Sequence, residues 1–201
     1  EGMYKEGYDP QKPADRAAFA HKVLMNYYRR TFETVRSIDS KMPIFHNSGH
    51  VPVGCQEILP YFSHLELESL PTGGWGYDHY PMSAAYSRNL GLDFLGMTGK
   101  FHRTWGEFGG FKHPNALRYE CAAMLANNSK CSIGDQLHPD GELDQTTYEI
   151  IGAAYSEVEK KEEWCRDARS LAEIAVLAEE SVKDASAGAS RLLLEAHLPF
   201  D

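Results

Sequence analysis

Four carboxylates in this chain sit where acid–base chemistry could use them: Glu66 and Glu68 in LELE, Glu107 in TWGEFGG, and Asp135 in IGDQLHP. Residues i and i+2 of a strand share a face. Glu66 and Glu68 therefore project together, about 6–7 Å apart along the strand. Trp75 and Tyr77 stand among glycines in GGWGYDH, and Phe101 and Trp105 flank the next glycine-rich stretch. Glycine-rich loops lie on the surface, so these rings are expected to meet a ligand rather than a core. His46, Asn47, Lys100, His102, Gln136 and His138 add hydrogen-bonding groups beside them.

Glycoside hydrolysis needs this equipment. It uses two carboxyl groups, about 5–5.5 Å apart for retention or about 6.5–9.5 Å for inversion, with polar groups for the sugar hydroxyls. The catalytic candidates are thus Glu68, Glu66, Glu107 and Asp135. The substrate-binding candidates are His46, Asn47, Trp75, Tyr77, Lys100, His102, Trp105, Gln136 and His138. Each also has a purely structural reading. Glu66 could pair with a cation on a neighbouring strand, Glu107 could be a solvated loop charge, and Asp135 could cap its loop. The tryptophans could be packing, and Lys100 could either lie on the surface or favour the charged form of a neighbouring carboxylate. Nine histidines raise the question of a metal. His46 and His50 are four apart but lie across a glycine-containing loop, and no HExxH or HxH occurs. No metal or other cofactor is expected.

The elements that must hold these residues alternate. Residues 14–38 carry Phe19, Val23, Leu24, Tyr27, Tyr28, Phe32 and Val35 at helical spacing. A short strand over 42–45 and a brief helix over 55–62 follow. Strands are expected at 65–68, 93–97 and 130–133, and helices at 81–90, 114–127 and 144–161. Pro114 suits the first turn of its helix. Short apolar strands alternating with amphipathic helices predict an α/β fold with a parallel sheet. Each predicted strand runs into a polar or glycine-rich cluster: HNSGH, ESLPTGGWGYDH, TGKFHRTWGEFGG and GDQLHP. Loops at the C-terminal strand ends build the active sites of (β/α)8 TIM barrels, and four such units make half a barrel. A doubly wound open sheet is the alternative, but no GxGxxG or phosphate loop follows a strand. Beyond 167 the pattern restarts, with a buried strand over 173–177 (EIAVL) and a helix over 184–197. Residues 1–167 are read as the half-barrel and 168–201 as the beginning of a second α/β domain, cut short.

Composition sets bounds on partners. With 42% hydrophobic and 24% charged residues, the chain reads as globular. A net charge of −9 argues against a nucleic acid or an anionic membrane surface as partner. Cys55, Cys121, Cys131 and Cys165 are scattered without a CxxC, which suggests reduced thiols and a cytoplasmic protein.

The strand-end segments resemble a known group. IFHNSGH, HLELESLPTGGWGYDHYP, LGMTGKFHRTWGEFGG and KCSIGDQLHPDGELD, followed by EKKEEWC, are similar to the glycosidases of glycoside hydrolase family 151, relatives of the family 29 α-L-fucosidases. The resemblance runs from about residue 8 to residue 165. It implies a (β/α)8 barrel followed by a trimerisation-like α/β domain with a flavodoxin- or amidotransferase-like core, and retaining hydrolysis of α-L-fucosides. On that resemblance the chain carries barrel strands five to eight. The aspartate nucleophile of strand four then lies outside it, and Glu68 is the acid/base. His46, Trp75, His102, Trp105 and Asp135 fit the sugar-contact roles. The isolated chain is expected to lack substantial activity. A non-catalytic carbohydrate-binding or self-assembling half-barrel is the competing expectation, since open strand edges favour a homo-oligomer. A metal-dependent hydrolase using the histidines is a third.

Overall fold

Residues 1–47, 51–178 and 183–201 are described in a computed structural model of the chain. They divide into two units: residues 1–46 with 55–63, and residues 47–54 with 64–201.

The first unit is built on one long helix. After a short helix α1 (Gly2–Lys5), α2 (Pro13–Ile38) begins with Pro13, which fits a first turn whose N–H groups lack helical partners. Of its residues only Tyr28 is buried. Tyr28 packs edge-on to the His46 ring at 4.7 Å, and Phe62 meets the same imidazole at 4.8 Å. The strand expected over 42–45 does not form. Pro43 has no N–H to give, and the Ile44 N–H goes instead to Ser63 Oγ at 2.7 Å. The Ile44 carbonyl accepts the Ser63 N–H at 2.8 Å, so its backbone polar groups are satisfied without a ladder. The brief helix expected over 55–62 is two separate 3-10 turns, Cys55–Glu57 and Leu59–Tyr61.

The second unit holds the sheet. Its strands are β1 (Leu65–Glu68), β2 (Phe94–Gly99) and β3 (Lys130–Gly134), all parallel and ordered β1-β2-β3. Helix α3 (His79–Ser87) connects β1 to β2, and α4 (Pro114–Ala126) connects β2 to β3. Helix α5 (Gln145–Glu159) follows β3, capped by Asp144, whose side chain accepts the Thr146 and Thr147 N–H groups. The register pairs Glu68 with Met97 and Gly99 with Gly134.

Alternation then sorts the sheet's two faces. Leu65, Leu67, Phe94, Gly96, Thr98, Cys131 and Ile133 lie on one. Cys131 and Ile133 pack there on a core of Leu117, Cys121, Ile151, Ala154 and Val158. At Gly96 the helix layer comes so close that a Cβ would fall 2.6 Å from both Met124 and Tyr80. Glu66, Glu68, Met97, Gly99, Ser132 and Gly134 share the opposite face.

After the short helix α6 (Glu162–Cys165), residues 173–177 do not form the buried strand expected of EIAVL. Ile174 makes one parallel bridge to Phe200, while Leu177 is 94% exposed. Asp201 exchanges backbone bonds with Ile174 and Val176 at 3.0 and 2.7 Å. No further strand among the described residues covers the run, so Leu177 stays in water and Val176 is only half-buried. Helix α7 (Lys183–Glu195) matches the expected helix, and its Arg191 binds Asp78 at 2.6 Å. No helix among the described residues is long and apolar enough to cross a membrane.

Candidate functional site

The C-terminal ends of β1, β2 and β3 gather most of the candidate residues. On β1, Leu65 and Leu67 are buried and Glu66 and Glu68 are half-buried. Burial, and secondly the charge of Glu68, pushes the Glu66 carboxyl above the usual carboxylate range. The two acids are therefore close enough to sense each other, as strand alternation requires. The chain turns after Ser69, whose N–H bonds to the Met97 carbonyl at 2.8 Å and whose Oγ lies 3.1 Å from His79 Nδ1. A 3-10 turn, Pro71–Gly73, follows and ends at Gly74 with φ +100°, a left-handed conformation that glycine adopts without strain. Trp75 leaves this turn half-exposed and meets the His79 ring edge-on at 4.9 Å. Tyr77 goes elsewhere. Its hydroxyl donates to Glu120 Oε1 at 3.3 Å on the helix-packed side, and burial, then Glu120, pushes it up to about 12.

At the end of β2, Lys100 is 3% exposed. Its ammonium lies 3.6 Å from Asp135 Oδ1 and 3.5 Å from Thr147 Oγ1, over the rings of Phe101 and Phe108 at 5.0 and 5.5 Å. Asp135 also accepts the Gln136 N–H at 2.7 Å. The Tyr148 hydroxyl is pushed up by burial first and by Asp135 second, which puts α5 beside the same carboxylate.

Trp105 lies over the glycine pair. A Cβ on Gly134 would fall 2.6 Å from its ring, and one on Gly99 would fall 3.6 Å away. No larger residue at 134 leaves room for the indole. The ring also meets Phe101 edge-on at 5.0 Å. A Cβ on Gly73 would drive into the Arg103 carbonyl oxygen, so the Trp75 and Trp105 loops touch backbone to backbone.

The remaining candidates divide. Glu107 folds back on its own loop and accepts the Arg103 N–H at 2.8 Å. His102 and Gln136 are exposed. The His138 ring packs on Phe108 at 4.6 Å, and its buried Nε2 has no hydrogen-bond partner among the described residues. His46 belongs to the first unit, buried among aromatic rings, with Nε2 3.2 Å from the Tyr61 carbonyl. Burial lowers its pKa. Asn47 is exposed. His50 lies outside the described residues, and with it the His46–His50 pair. Among the described residues no cluster of three or more metal-ligating side chains forms.

Sequence reasoning missed a constellation beneath the site. Lys112 Nζ donates to Glu120 Oε2 at 2.8 Å and to Thr98 Oγ1 at 2.9 Å, and Thr98 donates to the same carboxylate at 2.7 Å. One signal was present: Glu120 falls in the apolar stripe of α4, between Leu117 and Met124. It also missed the glycine floor under Trp105, and Thr147 and Tyr148 beside Lys100 and Asp135. A cleft of about 1220 Å³ opens at the other end of the strands, beside Asp93, Lys130 and Cys131. It holds none of the candidate residues.

No protein-family model matches the chain, and no curated protein matches it. Among solved structures it is similar to α-L-fucosidase isoenzyme 2 from Paenibacillus thiaminolyticus, at 51% sequence identity and a TM-score of 0.92. The match covers 100% of this chain and 32% of that one, so the chain spans about a third of that fucosidase's length. The resemblance to fucosidase-type glycosidases read in the sequence is shown by this match.

Proposed function

We propose that this chain forms part of a glycoside hydrolase of α-L-fucosidase type, in the narrower reading a family 151 enzyme, and builds one wall of its sugar site. The observation that carries the proposal is the 51% identity with an α-L-fucosidase over the whole chain. The sheet supports the barrel reading, since three parallel strands follow in chain order with helices on one face. In this reading residues 1–167 belong to the C-terminal half of a (β/α)8 barrel, with β1, β2 and β3 as strands six to eight and the segment 42–45, which forms no ladder among the described residues, at the fifth position, and 168–201 begin a second α/β domain.

Glu68 is the general acid that protonates the leaving oxygen and then, as base, activates water. Glu66 lies on the same face, two residues back along β1. The second carboxylate of a retaining pair must stand about 5–5.5 Å away across the bond. Asp135 is a poor choice. β1 and β3 are two strand spacings apart, about 9–10 Å, and Asp135 is held by Lys100 and the Gln136 N–H. Glu107 is held by its own loop. The nucleophile is therefore assigned to a part of the longer protein beyond this chain. Trp105 and Trp75 supply planes for the sugar, and Lys100, His102, Gln136 and His138 supply polar groups around them. The protein acts in the cytoplasm and as a homo-oligomer in this reading.

The test is hydrolysis of an aryl α-L-fucoside. The longer enzyme should turn it over, its Glu68→Gln variant should not, and the 201-residue chain alone should be inactive. Turnover by the chain alone would overturn the assignment of the nucleophile. Failure of the longer enzyme on every α-L-fucoside tried would overturn the substrate class.

A further inference from the structure

The two loops that carry Trp75 and Trp105 end on one buried carboxylate. The Trp105 loop closes at its neck: Phe101 bridges Phe111, and the Lys112 N–H bonds to the Lys100 carbonyl at 3.3 Å. Directly after the neck Lys112 turns inward to Glu120 Oε2 at 2.8 Å. From the other loop, two residues beyond Trp75, the Tyr77 hydroxyl reaches Glu120 Oε1 at 3.3 Å. Thr98 of β2 donates to the Oε2 side as well, at 2.7 Å. Each loop thus takes one oxygen of the same carboxylate, while the sheet holds that carboxylate in place.

Stability is a poor account of this arrangement. Lys112 and Glu120 are 2% and 4% exposed. Well-packed apolar residues of similar volume are often as stable as a buried ion pair or more so, and fixing a register is the best-attested use of such a pair. We propose that Lys112 and Glu120 are positioning residues, which act by locking the Trp75 and Trp105 loops in one mutual arrangement. The proposal rests on the reading of those tryptophans as sugar platforms.

The experiment uses tryptophan fluorescence of the 201-residue chain. A Trp75→Phe/Trp164→Phe background reports Trp105 alone, and a Trp105→Phe/Trp164→Phe background reports Trp75 alone. Acrylamide quenching is measured in each, with and without the double substitution Lys112→Met/Glu120→Leu, which removes both charges together. Trp105 is 43% exposed, so its quenching should rise about twofold as the loop opens to solvent. Trp75 should rise similarly. Tyr77→Phe, which removes one hydroxyl and leaves the ion pair, should raise quenching of Trp75 and leave Trp105 as it was. Far-UV circular dichroism checks that each variant is folded. Unchanged quenching of both tryptophans in the folded double variant overturns the proposal. Should the double variant not fold, unchanged Trp75 quenching in Tyr77→Phe overturns it. L-Fucose is then titrated into the unsubstituted chain. If it leaves the fluorescence untouched while the quenching contrast holds, the sugar reading fails and the positioning role stands.

Discussion

The indole of Trp105 rests on Gly134, with no room between them for a Cβ, which would fall 2.6 and 2.7 Å from two ring carbons. Gly134→Ala must therefore move the ring or strain the strand. Overpacking of this kind costs about 1–3 kcal/mol. Urea denaturation of the variant should show that loss, or its Trp105 emission should shift to the red. A variant with wild-type stability and emission would show that the ring is not held there.

Glu68 and Glu66 share a face of β1, and the proposed mechanism gives only Glu68 a proton to move. In the longer enzyme Glu68→Gln should lower kcat on an aryl α-L-fucoside by about 10²–10⁴-fold, the range of a general acid–base group. Glu66→Gln should lower it far less, because the proposed proton transfer runs through Glu68 alone. Equal losses from the two substitutions would reverse this division of labour.

Breaking the Lys112–Glu120 pair on one side should cost far more than removing both partners. Lys112→Ala leaves a buried carboxylate with no cation and is expected to cost about 3–5 kcal/mol. Lys112→Met with Glu120→Leu should be close to neutral. Comparing urea midpoints of the two decides the matter; a double variant as unstable as the single one would contradict it.

The Glu66 carboxyl, raised by burial and by Glu68, keeps its proton to higher pH in the folded chain than in the unfolded one. The folded state then binds more protons across that interval, so stability falls as pH rises from the usual carboxylate value, about 4.3, through the raised one. Glu66→Gln should remove that fall. His46 acts in the opposite sense. Burial lowers its imidazole, so its contribution is complete above the unfolded value of about 6.5 and is lost as pH falls through the folded one. His46→Phe should flatten that acid-side loss. Midpoints measured from pH 4 to 8 would separate the two slopes, and identical profiles for both variants and the parent would refute them.

The sheet was legible because its signals are local. LELE alternates, and the Pro114 start and the apolar stripe of α4 lie within one stretch of chain. The failures came where burial depends on distant partners. Met42-Pro43-Ile44-Phe45 has strand-like side chains, but no strand among the described residues comes alongside it, and Ser63 takes its backbone bonds. EIAVL is apolar enough for a core, yet among the described residues its backbone pairs with no more than Phe200 and Asp201. Tyr77 looked like a platform beside Trp75 until Glu120, 43 residues on, drew its hydroxyl to the other side. Gly99 and Gly134 fall just past the strands expected at 93–97 and 130–133, and that they pair is a matter of register between strands.

That register has a genetic consequence. Positions 105 and 134 are inherited together: the hardest contacts a side chain at 134 would make are with the ring at 105, ahead of Met97 Sδ at 3.1 Å. Alanine at 134, harmful in the parent, should cost much less once Trp105 is replaced by alanine, leaving only the Met97 contact. In a randomised library, the survivors at 134 should then depend on the residue carried at 105.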